Sequence, residues 1–86
     1  MTLTADKLKK GVPAVVVSIK ACGALKKRMG SLGLVPGAPI MFIRSAPFGD
    51  PLEFSVRDTR IAVRRSEAET LTVEYDKRNW TKRLFI

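Results

Sequence analysis

Residues 29–37 read MGSLGLVPG and connect the end of a predicted helix to the start of a predicted strand. Three apolar side chains recur at helical spacing along one side of that helix: Leu25, Met29 and Leu32. We expect the helix to end at Gly33, because glycine accepts the left-handed conformation that follows a last helical turn. Pro36-Gly37 suits the centre of a type II turn, where proline presets the first backbone angle and glycine tolerates a positive second one. The stretch therefore predicts a short helix that leads directly into a strand.

Five short strand patterns accompany this helix, in residues 15–19, 40–44, 52–56, 61–64 and 71–75. The run 40–44 is apolar almost throughout, which predicts contacts on both faces of a core strand. Residues 52–56 alternate apolar and polar side chains, which predicts one buried face, and a tight connection at Asp58-Thr59 returns the chain as a hairpin. Strands this short do not bury both faces in an open sheet, so they should curl into a small barrel.

Three further segments carry local signals. Residues 45–51 read SAPFGDP, and their content of Pro, Gly and Asp predicts a loop. Ser66 and Glu69 have the spacing of a capping box, in which each side chain satisfies a free backbone donor, so a single helical turn is expected there. Cys22 lies between the first predicted strand and the helix, where we expect a half-buried thiol that serves packing.

The composition of the 86-residue chain fits one small domain, with 45% hydrophobic residues and little surface for a deep enzymatic cleft. No apolar run approaches the roughly 20 residues that cross a bilayer. The first residues lack a basic-then-apolar signal pattern, so we expect no export, and a single cysteine suits a reducing compartment. These features predict a cytoplasmic module.

Side chains for catalysis or metal binding are scarce in this sequence. It has no histidine, and one cysteine with scattered carboxylates makes no multi-ligand metal pattern. Asp50 and Glu53 lie closest to a loop, but an exposed strand edge explains them better than a cation site does. The sequence contains neither a glycine-rich phosphate-binding loop nor the usual pair of a nucleophilic side chain and a general base. We therefore predict no catalytic residue, no cofactor and no metal ligand, and we expect that the protein is not an enzyme.

The net charge of +8 is concentrated in two parts of the chain. Residues 1–37 carry seven basic groups and one acidic group, residues 38–76 are slightly acidic, and residues 77–86 carry four basic groups. This distribution favours one basic face and a partner with negative potential. Nucleic acid, an inner-leaflet lipid surface and an acidic patch on another protein all fit, and a merely solvated surface fits equally well.

Several motifs combine in an order that is more specific than any one of them. They are LGLVPG at 32–37, APFGDP at 46–51, and IAVR at 61–64 followed by Ala68, Leu71 and Val73. Together they closely resemble the FeoA family, from about Leu8 to Val73. The resemblance implies an all-β fold, a small SH3-like β-barrel with one short α-helix after the first strand. It places this barrel in residues 1–75 and leaves a basic and aromatic C-terminal extension in residues 76–86.

The same resemblance implies a function. FeoA-like proteins are cytoplasmic accessory or regulatory proteins of bacterial ferrous iron transport, and their expected partner is the FeoB transporter, which carries a cytoplasmic GTPase domain. Such a protein would work at the inner face of the bacterial inner membrane. It would bind FeoB and modulate its GTPase activity or its assembly.

The first candidate contact with that partner lies on the predicted helix. Lys26, Lys27 and Arg28 are consecutive, so they fan across its exposed side beside Leu25, and the rigid turn at Pro36 follows. This group would dock an acidic patch. Arg28 is also a candidate to place positive charge at a nucleotide site of the transporter.

Two other segments carry candidate contacts. Pro47 and Phe48 form a loop tip, where an exposed aromatic ring would anchor in a partner's pocket, or where Phe48 folds back to plug the end of the barrel. Trp80 lies in the extension among basic residues, which suits peripheral contact with an anionic membrane surface. The extension equally suits folding onto its own barrel, or onto a second copy in a homodimer.

A nucleic-acid-binding small basic β-barrel is the alternative function, because barrels with a sequence pI near 10.3 commonly bind phosphate backbones. Proteins that bind single strands stack bases on exposed aromatic rings. Only Phe48, Tyr75 and Trp80 are expected to be free of the core, so nucleic acid ranks below a FeoB partner.

Overall fold

The computed structural model describes residues 1–76, which form six strands and two α-helices. In chain order these are β1 (Thr2–Thr4), β2 (Pro13–Ile19), α1 (Gly23–Ser31), β3 (Pro39–Ser45), β4 (Leu52–Val56), β5 (Thr59–Val63), α2 (Arg65–Ala68) and β6 (Leu71–Tyr75). All neighbouring strands are antiparallel, and their order across the sheet is β1-β6-β2-β3-β4-β5. No helix in this part of the chain is long and apolar enough to cross a membrane.

The core is built from side chains that alternate along the strands. Leu52, Phe54 and Val56 of β4 are at most 2% exposed, whereas the residues between them are half-buried. Met29 of α1 is completely buried and covers the same core. The alternation predicted for residues 52–56 is therefore confirmed, because a pleated strand turns every second side chain inward.

The connection from α1 to β3 follows the sequence prediction closely. Gly33 has a φ of 91°, and its N–H donates to the carbonyl of Gly30 over 3.0 Å, while the next N–H reaches the carbonyl of Met29. This is the glycine-dependent Schellman ending of a helix. Pro36-Gly37 forms the following turn, in which Gly37 has a φ of 90° and the N–H of Ala38 donates to the carbonyl of Val35. Local chemistry thus fixes how the chain leaves α1.

One strand escapes sequence prediction. β1 has only three residues, which is too short to show an alternating pattern, and it forms by pairing with β6, where Leu3 lies opposite Val73. As a result, the helix predicted after the first strand follows the second strand. It begins at Gly23, two residues before Leu25.

The structure also corrects the predictions for β3 and for the hairpin. Ile40 is buried, but residues 41–43 are only half-buried, so β3 does not have two covered faces. The reason is that β3 belongs to an antiparallel sheet, in which one face commonly packs on the core and the other faces solvent. The hairpin loop is Arg57-Asp58 rather than Asp58-Thr59, since Thr59 already pairs with Val56.

Two further expectations are wrong. The capping carboxylate of α2 is Glu67 rather than Glu69, because Glu67 Oε1 accepts the N–H of Arg64 over 3.0 Å and the helix begins one residue before Ser66. Cys22 is exposed rather than half-buried, since it precedes α1 in an extended conformation with a φ of −138°. The other predicted strands are present with bounds that differ by up to two residues, since β2 begins at Pro13 and β5 spans Thr59–Val63.

Candidate functional site

The candidate contact on α1 is solvent-exposed. Lys26 and Lys27 are exposed, and within residues 1–76 their ammonium groups form no ion pair. Leu25 is half-buried and packs against the core, which fixes the rotation of the helix. Pro36 is exposed in the turn that follows, and this turn is attached to β2 through a 2.8 Å hydrogen bond from Gly37 N–H to the carbonyl of Val16. We call Leu25, Lys26, Lys27, Arg28 and Pro36 the helix surface.

Arg28 differs from the other cations of the helix surface because it is already paired. Its guanidinium donates to Glu67 Oε2 over 2.5 Å, and Glu67 is only 18% exposed at its side chain. This hydrogen bond raises the pKa of Arg28 and lowers the pKa of the Glu67 carboxyl, and the attraction between the two charges adds to both shifts. Arg28 therefore connects α1 to α2 and is not free to dock as an unpaired cation.

The loop of residues 46–51, here called the Phe48 loop, presents an aromatic ring to solvent. Phe48 is 99% exposed, so it does not fold back to plug the barrel. The loop itself is closed by two backbone hydrogen bonds, from Ala46 N–H to the carbonyl of Pro51 and from Gly49 N–H to the carbonyl of Ala46. Pro47 is exposed beside the ring. An apolar side chain is thus held outward on an ordered loop.

The Phe48 loop is also attached to α2. Asp50 Oδ1 accepts the N–H of Arg65 over 2.7 Å, and the Arg65 guanidinium donates to the carbonyl of Gly49 over 3.1 Å. The first bond satisfies one of the free N–H groups at the start of α2. Because Arg65 and Glu67 both belong to α2, this short helix supports the Phe48 loop on one side and α1 on the other.

The carboxylates considered for a cation are engaged elsewhere. Asp50 accepts the N–H of Arg65, and Glu53 pairs with Arg44 over 3.1 Å. Across residues 1–76 no three His, Cys, Asp or Glu side chains gather into a group that could hold a metal ion.

The aromatic side chains offer little to nucleic acid. Phe42 and Phe54 pack against each other with ring centroids 5.7 Å apart. Tyr75 is half-buried, and its hydroxyl accepts the backbone N–H of Lys9 over 2.9 Å. Of the rings in the described part of the chain, Phe48 alone is exposed. Trp80 lies outside the described residues.

The tethers of α2 are the features that sequence analysis missed. Arg28 and Glu67 are 39 positions apart in the sequence, and Asp50 and Arg65 are 15 positions apart. No local sequence pattern predicts a contact over such separations. One available signal was the place of Asp50 in a loop rich in Pro and Gly, since Asp side chains in turns commonly accept backbone N–H groups. The structure therefore shows that α2 connects the helix surface and the Phe48 loop, which the sequence analysis treated separately.

The chain is similar to known proteins along most of its length. A family model described as the FeoA domain matches residues 1–75. A fusion protein of Porphyromonas gingivalis, Fe(2+) transport protein A joined to the Fe(2+) transporter FeoB, is 32% identical over 76 residues, which is 88% of this chain and 9% of that protein. The chain thus spans a small fraction of that relative.

Two solved structures show the same fold. FeoA from Chlorobium tepidum is 40% identical with a TM-score of 0.80, over 85% of this chain and 70% of that one. FeoA from Stenotrophomonas maltophilia, a prokaryotic SH3 domain protein solved with zinc, is 31% identical with a TM-score of 0.71, over 88% of this chain and 92% of that one. These likenesses confirm the resemblance drawn from the sequence and the SH3-like barrel that it implied.

Proposed function

The chain belongs to the FeoA family, and on that premise we propose that it is an accessory protein of bacterial ferrous iron transport that binds a FeoB-type transporter at its cytoplasmic side. One observation carries this proposal. In the Porphyromonas gingivalis relative, the FeoA part and the FeoB transporter belong to a single polypeptide. Two parts that are joined in one protein commonly act together, so a separate FeoA chain is expected to find the transporter by binding.

We propose the Phe48 loop as the anchor of this contact. A ring that is 99% exposed gains nothing from folding, whereas it gains the full benefit of burial when a partner covers it. The loop is ordered by its own hydrogen bonds and by the bond between Asp50 and Arg65, so little conformational entropy is lost on docking. An exposed aromatic ring on an ordered support is the usual composition of a binding hot spot.

The helix surface supplies the electrostatic part of the contact. Lys26 and Lys27 have no ion pair within residues 1–76 and are available for an acidic patch on the transporter. Charges of this kind raise the association rate and set orientation more than they raise affinity. Arg28 pairs with Glu67 within this chain, so it would have to leave that partner to place its charge at a nucleotide site of the transporter. Trp80 in the extension would add contact with an anionic membrane surface.

The experiment measures GTP hydrolysis by the full-length transporter in detergent and by its isolated GTPase domain, each with and without this protein. In parallel, each is tested for retention of the protein on beads at low salt with nucleotide present. Retention by the isolated domain places the contact on the GTPase domain, and retention only by the full-length transporter places it on the membrane part. No retention by either form contradicts the proposed function. Retention with unchanged hydrolysis contradicts regulation of the GTPase and leaves an assembly role.

A further inference from the structure

Within residues 1–76, β5 is the last strand at one edge of the sheet. It pairs with β4 on one side, and across residues 1–76 no other strand pairs with it. A strand in this position presents backbone groups that have no partner within the sheet. The identity of those groups follows from the register of the neighbouring strands.

The outward groups belong to Arg60 and Ala62. Arg57 N–H donates to the carbonyl of Pro39 over 3.3 Å, so these two opposite residues form a hydrogen-bonded pair between β4 and the start of β3. Hydrogen-bonded and non-bonded pairs alternate along antiparallel strands, so the next pair, Ile40 and Val56, is not bonded. Val56 therefore directs its own N–H and carbonyl away from β3 and toward β5. Val56 pairs with Thr59, so the backbone N–H and carbonyl of Thr59 point toward β4. The direction of these backbone groups alternates from one residue to the next along a strand, so residues 59, 61 and 63 bond to β4. The N–H and carbonyl groups of Arg60 and Ala62 therefore face away from the sheet, and no hydrogen bond to them exists within the described residues.

The side chains along this edge define what could pair with it. Arg60 and Ala62 are exposed on the outer face of the sheet, whereas Ile61 and Val63 point into the core. Ile61 is 8% exposed, the largest value among the buried core residues, whereas Val63 on the same strand is 1% exposed, so the cover of the core is thinnest at Ile61. Arg57 and Arg60 form no ion pair in the part of the chain that the structure describes.

We infer that β5 binds an extended acidic segment of a partner protein, which adds to the sheet as a seventh strand. Residues that face each other across two strands share one face, so an acidic residue opposite Arg60 would form a cross-strand ion pair. The next residue of the segment would point inward over Ile61, and an apolar side chain there would complete the cover of the core. Backbone bonds to Arg60 and Ala62 would supply affinity, as in other cases of strand addition.

This inference rests on the proposed function, because the transporter is the partner expected to supply the segment. The test is hydrogen exchange of this protein alone and in complex with the full-length FeoB-type transporter, with single amides read by electron-transfer fragmentation. In the free protein the amides of Arg60 and Ala62 should exchange rapidly, while those of Ile61 and Val63 exchange slowly. In the complex, exchange at Arg60 and Ala62 should slow at least about tenfold.

Ala62→Pro supplies the matching variant, with Ala62→Val as its control. Proline removes the outward N–H without touching a bond to β4, and edge positions accept proline, so the fold should survive. We expect binding to weaken about tenfold with proline, as for loss of one backbone hydrogen bond, and to stay within about twofold with valine. A melting temperature for each variant shows whether the barrel is intact.

The remaining outcomes separate this inference from the proposed function. Binding of the transporter without slower exchange at Arg60 and Ala62 overturns strand addition and leaves the proposed function in place. Slow exchange at both amides in the free protein shows that the edge is not open and overturns the inference. Slowing that depends on protein concentration without the transporter assigns the edge to a second copy of this chain. No binding of the transporter overturns both the inference and the proposed function.

Discussion

Replacement of Phe48 by alanine should weaken partner binding and leave folding stability unchanged. Phe48 is 99% exposed, so its removal uncovers no core surface, and the free energy of unfolding should change by less than about 0.5 kcal/mol. A pocket that buries the ring would contribute about 1.5–3 kcal/mol to binding. At 1.4 kcal/mol for each factor of ten, the dissociation constant for the FeoB-type transporter should rise roughly 10- to 150-fold.

The assay combines biolayer interferometry with the transporter in detergent and urea unfolding of the free protein. Phe48→Leu is the matched control, because leucine retains most of the apolar area and should weaken binding much less than alanine does. Phe54→Ala is the opposite control, since Phe54 is 1% exposed and its truncation should cost about 3–5 kcal/mol of stability. Unchanged affinity of Phe48→Ala alongside intact binding of the unaltered protein would refute the role of the Phe48 loop as an anchor.

Three further predictions concern the supports of the candidate surfaces. Asp50→Ala should loosen the Phe48 loop and lower the free energy of unfolding by about 1 kcal/mol, because the hydrogen bond to the N–H of Arg65 is lost. Calorimetry of binding to the transporter should then show a more unfavourable entropy, since the looser loop must be ordered on docking, and an unchanged entropy would contradict this. Because the hydrogen bond to Arg28 holds the pKa of Glu67 below its usual value, the pair stabilises the fold while Glu67 is ionised, and that contribution is lost as the pH falls through the lowered pKa. Urea unfolding at neutral pH and at about pH 3 measures how much stability each protein loses on acidification. Glu67→Gln should lose less than the unaltered protein, and equal losses would refute the contribution of the ionised Glu67 carboxylate to stability. Gly33→Ala should cost about 1 kcal/mol in thermal unfolding because Gly33 has a φ of 91°, and no change in melting temperature would contradict that cost.

The parts of the fold that sequence analysis predicted are those encoded by neighbouring residues. Gly33 ends α1, and Pro36-Gly37 forms the next turn, because each needs only its own backbone preference. The alternation along β4 predicted its buried face for the same reason. β1 escaped because three residues carry no period, and only β6 specifies where they lie. Local chemistry therefore predicted most of the barrel, and pairing between distant segments supplied the rest.

The candidate site was less predictable than the fold. The sequence suggested the helix surface and the Phe48 loop as candidate contacts, but it left open whether Phe48 points inward or outward, since both positions suit an aromatic ring on a loop. It did not predict that Arg28 pairs with Glu67, because the two residues lie 39 positions apart. Contacts of this kind depend on how the barrel closes. Only the folded structure, in which α2 contacts both surfaces, reveals them.

The central claim is that this FeoA-family protein binds a FeoB-type transporter. The most direct test is isothermal titration of the protein into the full-length transporter in detergent, at low salt and with guanine nucleotide present. We predict saturable binding at one site for each transporter, weakened by Phe48→Ala and reduced at high salt through Lys26 and Lys27. Absence of binding at protein concentrations well above those used in the retention assay would contradict the account.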